Sequence, residues 1–334
     1  MKTKSIKIFI NYFLGPILFL WLSYSIYQQV RRQPDLEGSW QQIKHSFQSP
    51  SVLNLVAVIL LMIVNWGIEA FKWKLSVQKV QEVKYLTAFK AILSGTSFSV
   101  LAPNRVGEYL GRILYMDDGN RLKAISLTIA GSMSQLLVTL YIGTIGFFIL
   151  RKPIEKADLL PVAGLQTMTI GVLLAVLILT VFYFRLSWII RWIDRLPRVK
   201  NYAWLLKGLE DFNATLLLKI LSLSVLRFFV FWIQYFLLFR LFNVDVSWWE
   251  GLWAVSVSFL VMAIIPTIAA FTDLGWKGKV NLALIRLFSG NDLGIWWTTL
   301  SIWIINLIIP ALAGSLLILS IKRIFKNTNN NEKT

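Results

Sequence analysis

The sequence predicts an all-α polytopic membrane protein with about six full transmembrane helices and two further apolar segments broken by proline. Three observations predict it. Charged residues are 15% of the 334 and hydrophobic residues 56%, whereas a soluble domain carries about 25% charged residues. Uncharged apolar runs recur, from Ala124 to Leu150, Pro161 to Phe184, Gly251 to Thr272 and Leu293 to Ile321. Each reaches the roughly 20 residues that cross a hydrocarbon core. The basic residues collect in the stretches between these runs.

Full spans are expected near 8–27, 51–71, 124–150, 161–184, 217–240 and 293–321, within a single domain over 1–325. No small-residue cleavage site follows Tyr24 to Tyr27, so the first apolar run is expected to stay as a span. The segments 88–112 and 251–288 break near Pro103 and Gly107 and near Pro266 and Gly275. The residues 326–334 read as a disordered cytoplasmic tail, and 185–215 as an amphipathic stretch along the membrane surface.

Charge orders these segments. Lys and Arg number five in 72–90, four in 104–123, six in 185–215 and four after Ile321, against three each in 28–49 and 151–160. If 88–103 re-enters from the side it left, the richer loops share one face, and the positive-inside rule makes that face cytoplasmic, with both termini there. The expected location is a bacterial-type inner (plasma) membrane. The same parity leaves 251–272 either re-entrant from the opposite face or paired with 274–290 as a second crossing. Two broken segments entering from opposite sides suggest an inverted repeat around a midplane site. A short echo agrees: Ser97-Phe98-x-Val100-Leu101-Ala102 before Pro103, and Ser258-Phe259-x-Val261-Met262-Ala263 before Pro266.

Several functions are disfavoured by what the chain contains. A net charge of +17 invites nucleic acid, but the bases form no basic face or binding motif, so no nucleic-acid partner is expected. With no cysteine and a single histidine, His45, neither a metal site, a cofactor nor a nucleophile–base pair is predicted. Asp35 and Glu37 could serve as the acids of a membrane-embedded transferase, although such enzymes usually carry large soluble regions. Asp117-Asp118 reads as a solvated turn.

The charged residues near the breaks are the site candidates. At 100° per residue, Arg105, Glu108 and Arg112 fall within about a 60° arc of one helix, and Gly107 and Gly111 would let another helix approach. Two arginines at a helix start suit an anion such as a phospholipid headgroup; a plain interfacial salt bridge is the equal alternative. Asp273 and Lys277, one turn apart after Pro266, read as an ion pair or as the second half of a headgroup site. Arg227, about a third of the way into its span, reads as snorkelling more readily than as a counter-charge. Glu69, beside Asn65, Lys72 and Lys74, reads as an interfacial pair at a span end. Gln135 with Ser132 and Ser134 reads as interhelical hydrogen bonding.

The run Pro103-Asn104-Arg105-Val106-Gly107-Glu108, followed by Arg112, resembles the first motif of the lysylphosphatidylglycerol synthase transmembrane-region family. That family is the flippase-like membrane domain of the multiple peptide resistance factor. The later order, long spans, a basic loop and then "IIPTIAAFTDLGWKGK", resembles it too. The resemblance implies a translocator of polar-headed lipids, with Arg105, Glu108 and Arg112 in the lipid-handling region. Its expected partners are membrane lipids, with a membrane-protein partner or a second copy also open. Two departures stand out. The second motif lacks the family's glutamate after its last glycine, with Asp273, Lys277 and Gly278 near that place. The aminoacyl-transferase domain is also absent, so a stand-alone translocator or a non-transporting accessory subunit is expected, rather than the aminoacylating enzyme.

Overall fold

The computed structural model describes residues 52–100, 102, 106–185, 188, 209, 212–265 and 270–318, with Tyr24 and Gln41, and the backbone alone at 270–273. The expected first span apart from Tyr24, most of 185–215, the 326–334 tail, Pro103, Arg105, Pro266 and the Asp273 side chain lie outside the described residues.

Every regular element among the described residues is helical: α1 (Val52–Val77), α2 (Tyr85–Ser99), α3 (Gly107–Ile113), α4 (Arg121–Lys156), α5 (Val162–Phe184), α6 (Ala214–Leu241), α7 (Trp248–Ile264), α8 (Ala270–Ile285) and α9 (Asp292–Trp303). A 3-10 turn, Asp118–Asn120, leads into α4, and α9 continues through a π-helical turn, Ile304–Ile308, as far as Ile318. Among the described residues, five stretches are long and apolar enough to cross a membrane: α1, α4 with its leading turn, α5, α6 and Asp292–Ile318. Val- and Ile-rich runs fold as helices here because hydrocarbon offers the backbone no hydrogen-bonding partner other than itself. The chain is a multi-pass, all-helical membrane protein.

Capping side chains place several helix starts. The Asn213 side chain accepts from Leu216 N at 2.8 Å to open α6. Ser247 and Glu250 form a reciprocal capping box at the start of α7, which satisfies two orphan backbone donors. Asn291 accepts from Gly294 N at 2.9 Å and donates to Phe242 O and Asn243 O at 3.0 Å, which ties the start of α9 to the end of α6.

Both broken segments return to the end they left. After α3 the chain comes back to the loop following α1: the Asn120 side chain donates to Val80 O at 3.3 Å, and Asp117 N to Gln81 Oε1 at 2.9 Å. The α7–α8 hairpin likewise starts after α6 and delivers α9 to Phe242. α4 leads from the first end to the other and α5 returns, with the Tyr183 hydroxyl near its close donating to Leu217 O at 2.8 Å, near the start of α6. The two hairpins therefore open at opposite ends of the molecule.

Small residues set the closest packing, as is usual where lipid removes the hydrophobic drive between helices. A Cβ on Gly111 would sit 2.4 Å from Gly95 Cα, so α2 and α3 touch backbone to backbone. A Cβ on Gly143 would lie 2.6 Å from Leu260 Cβ, which seats α7 on α4. Between the helices lie one apolar core around Phe228, Tyr235, Val255 and Leu260 and another around Trp73, Ile92, Leu127 and Leu217. Leu173, Leu177 and Ile178 on α5 point outward, as expected of a surface facing acyl chains.

Candidate functional site

α1 is apolar over most of its surface, yet Asn65, Glu69, Lys72 and Ser76 recur at helical spacing and are all buried. This stripe faces α6 and α3. Glu69, 5% exposed, is the centre of the site. Its Oε2 lies 2.8 Å from Lys72 Nζ and 2.7 Å from Arg227 Nη1, and its Oε1 lies 3.2 Å from Arg112 Nη2. The same Arg112 Nη2 lies 2.9 Å from Glu108 Oε2, one turn back along α3. Three cations and two carboxylates thus form one network, leaving one positive charge in excess among the described residues.

Polar side chains extend the network in two directions. Arg227 Nε donates to Asn65 Oδ1 at 2.7 Å, and Asn65 Nδ2 donates to Asn306 Oδ1 at 3.3 Å. Asn306 stands in the π-helical turn of the last helix, the kind of local widening often found at functional positions. On the other side Lys72 Nζ donates to Ser224 Oγ at 3.4 Å, and Ser224 meets Ser134 at 2.7 Å. The Arg227 guanidinium also lies over the rings of Trp66 and Phe231, 5.3 and 5.7 Å from their centroids. Two buried donors, Arg112 Nε and Trp66 Nε1, have no hydrogen-bond acceptor among the described residues.

Position gives this network its weight. Arg227 stands halfway along α6, and Asn306 near the middle of Asp292–Ile318. Ionised groups at such depth are costly unless paired, and they commonly mark substrate paths.

Two expectations are corrected here. Glu69 is no interfacial residue at a span end: α1 continues two turns past it to Val77, and Glu69 is the group that three cations share. Arg227 does not snorkel; it turns inward to Glu69 and Asn65, acting as a counter-charge. Glu108 and Arg112 are paired on one helical turn as expected, but Arg112 also reaches across to α1. Ser134 does bridge helices, through Ser224, while Gln135 Oε1 has no partner among the described residues. Lys277 lies on α8, in the other hairpin. Sequence reasoning passed over Lys72, Asn65, Trp66 and Asn306 as site residues; the polar stripe along α1 was the signal for the first two.

The second hairpin has a neutral counterpart. Asn281 Nδ2 donates to Thr299 Oγ1 at 2.9 Å and to Tyr235 OH at 3.4 Å, while Ser258 Oγ donates to Asn281 Oδ1 at 2.5 Å. These four buried groups satisfy one another and join α6, α7, α8 and α9.

Fold and site together define a polytopic helical membrane domain with two oppositely opening hairpins and, among the described residues, a net-cationic centre midway along α6. The chain belongs to the family described as the lysylphosphatidylglycerol synthase TM region, which it matches over residues 10–272. The match takes in every charged member of the Glu69 network. The family relates to membrane lipid handling. No curated protein matches the sequence.

Proposed function

We propose that this protein is a flippase-like translocase, moving a polar-headed, phosphate-bearing lipid between leaflets of the plasma membrane. The observation that carries the reading is the Glu69–Lys72–Arg112–Arg227 network at mid-depth. Moving a bare headgroup through hydrocarbon is slow because stripping water from a charge is costly. Guanidinium and ammonium groups along the path replace that water with fixed donors, while the acyl chains stay in the bilayer. Arg112 would bind the phosphate, as its planar fork suits, while Arg227 and Lys72 stay on Glu69 and supply positive charge beside it. Arg105, two residues after Pro103 and two before Gly107 in the sequence, would pass the headgroup to them. Asp273, Lys277 and Gly275, after the second break at Pro266, would meet it from the opposite end. The rich basic loops would face the cytoplasm, together with both termini.

The test is leaflet exchange by the purified chain in liposomes, read with fluorescent headgroup analogues and an outer-leaflet quencher. The wild type should accelerate exchange. Arg227→Ala, Arg105→Ala and Glu108→Gln should each lower the rate about tenfold or more, the effect of roughly 1.4 kcal/mol on a barrier. No acceleration by folded wild type across several headgroups would instead assign the chain to a non-transporting, accessory role.

A further inference from the structure

The inference rests on reading the Glu69 network as a headgroup site, and it concerns which headgroup. We infer that the site selects a phosphate group of net negative charge over a zwitterionic or cationic headgroup, with Trp66 Nε1 and Arg112 Nε as the donors that receive it.

Charge is the first argument. Among the described residues, Lys72, Arg112 and Arg227 outnumber Glu69 and Glu108 by one; Glu69, Lys72 and Arg112 are buried and Arg227 is only slightly exposed. In a low-dielectric interior one anion neutralises the excess, whereas a headgroup with its own ammonium brings back as much positive charge as its phosphate removes. An ammonium would also need a carboxylate, and both carboxylates here are already held by guanidinium groups.

Hydrogen bonding is the second and is independent of the first. Trp66 and Arg112 are each 3% exposed, and their Nε1 and Nε hydrogens meet no acceptor among the described residues. Buried donors almost always find partners, so a pair left open in one network points to an acceptor-rich ligand. Both belong to the Glu69 network, Arg112 by direct contact with Glu69 and Trp66 beneath the Arg227 guanidinium. A phosphate, with oxygens that only accept, suits donors of this kind. Glu69 already shows the arrangement such a ligand would enter: a carboxylate gripped by two guanidiniums and an ammonium.

A headgroup phosphate competes with Glu69 for Arg112. Arg112 then trades Glu69 for the phosphate, while Arg227 and Lys72 keep the carboxylate.

The experiment titrates the full chain in detergent with dihexanoyl phosphatidylglycerol, dihexanoyl phosphatidylcholine and inorganic phosphate, by calorimetry. The anionic lipid should bind at least about tenfold more tightly than the choline lipid. Trp66→Phe keeps an aromatic ring under Arg227 and removes the open donor together with part of the indole. The smaller ring should lower the melting temperature; on the folded fraction phosphatidylglycerol should weaken about tenfold, roughly 1.4 kcal/mol, while phosphatidylcholine binding should not change. Inorganic phosphate binding as tightly as the glycerol lipid would assign the site to the free anion; weaker binding assigns it to the headgroup. Equal affinity for the glycerol and choline lipids, or a Trp66→Phe protein that binds like wild type, overturns the inference. Leaflet exchange that ignores headgroup charge overturns it too, while leaving translocation intact. Selective binding without leaflet exchange supports it and removes the transport reading instead.

Discussion

Arg112 on α3 and Arg227 on α6 hold different oxygens of the same carboxylate, Glu69, at 3.2 and 2.7 Å. The short helix of the first hairpin and a full span are thereby fixed to α1 through one side chain. Such a carboxylate has two roles that conflict: it keeps three buried cations from repelling one another, and it occupies the donors a ligand would need. Changes at Glu69 should therefore separate folding from binding.

Glu69→Gln removes the negative charge and leaves Lys72, Arg112 and Arg227 in place. Breaking a buried pair by removing one partner costs about 3–5 kcal/mol, because the remaining charge stays buried. The melting temperature of the detergent-solubilised chain should drop sharply. Glu69→Asp keeps the charge with a shorter reach and should fall between Gln and wild type. A Gln variant as stable as wild type would mean that the three cations are neutralised elsewhere.

Gly111→Ala tests whether α3 must lie against α2 to present Arg112. The new methyl would stand 2.4 Å from Gly95 Cα and 2.5 Å from the Ser94 carbonyl carbon, both backbone atoms that cannot rotate away. Overpacking of this kind costs about 1–3 kcal/mol, and it should move Arg112 off Glu69, lowering leaflet exchange as well as stability. Gly119→Ala, with no atom within 4 Å of the added carbon, should change stability by no more than about 0.5 kcal/mol. Parallel melts of the two variants give the comparison.

The helices and hairpins were legible in the sequence because hydropathy and charge sorting are local signals: apolar runs gave the spans, and prolines with flanking charges gave the breaks. The site was legible only in part. Arg112 and Glu108 are four residues apart, so helical spacing alone pairs them. Glu69 meets Arg112 across 43 residues and Arg227 across 158, and no window along the chain sees that. Ending the second span at residue 71, where lysines begin, turned Glu69 into a surface residue. In fact Lys72 and Ser76 face inward, and the helix runs on. A lysine in an apolar helix reads as a boundary only until its carboxylate partner is recognised.

Asn281 provides a control for the charged centre. Its amide joins Ser258, Thr299 and Tyr235, and Asn281→Leu would leave the buried Ser258 hydroxyl without its side-chain acceptor. An orphaned buried polar group costs about 1–3 kcal/mol, so the melting temperature should fall. Affinity for dihexanoyl phosphatidylglycerol, measured on the folded fraction, should stay at the wild-type value, because no member of this neutral group bonds to Glu69, Arg112 or Trp66 among the contacts described. A parallel loss of affinity would show that the two hairpins act as one site.

Orientation is open to direct measurement because the chain has no cysteine, so a single introduced thiol reports without background. The loop after α1 and the turn before α4 lie together at one end, joined by Asn120–Val80 and Asp117–Gln81. The loop between α4 and α5 lies at the other end, with the close of α6 and the start of α9. The first end carries the denser Lys and Arg, which the positive-inside rule places in the cytoplasm. Gln78 and Ala157 are exposed at the two ends. In intact cells Ala157→Cys should react with a membrane-impermeant maleimide. Gln78→Cys should react only after the membrane is opened. The reverse pattern would invert the protein and put the hairpin that carries Arg112 in reach of the outer leaflet, so the direction in which it first meets a headgroup would be reversed as well.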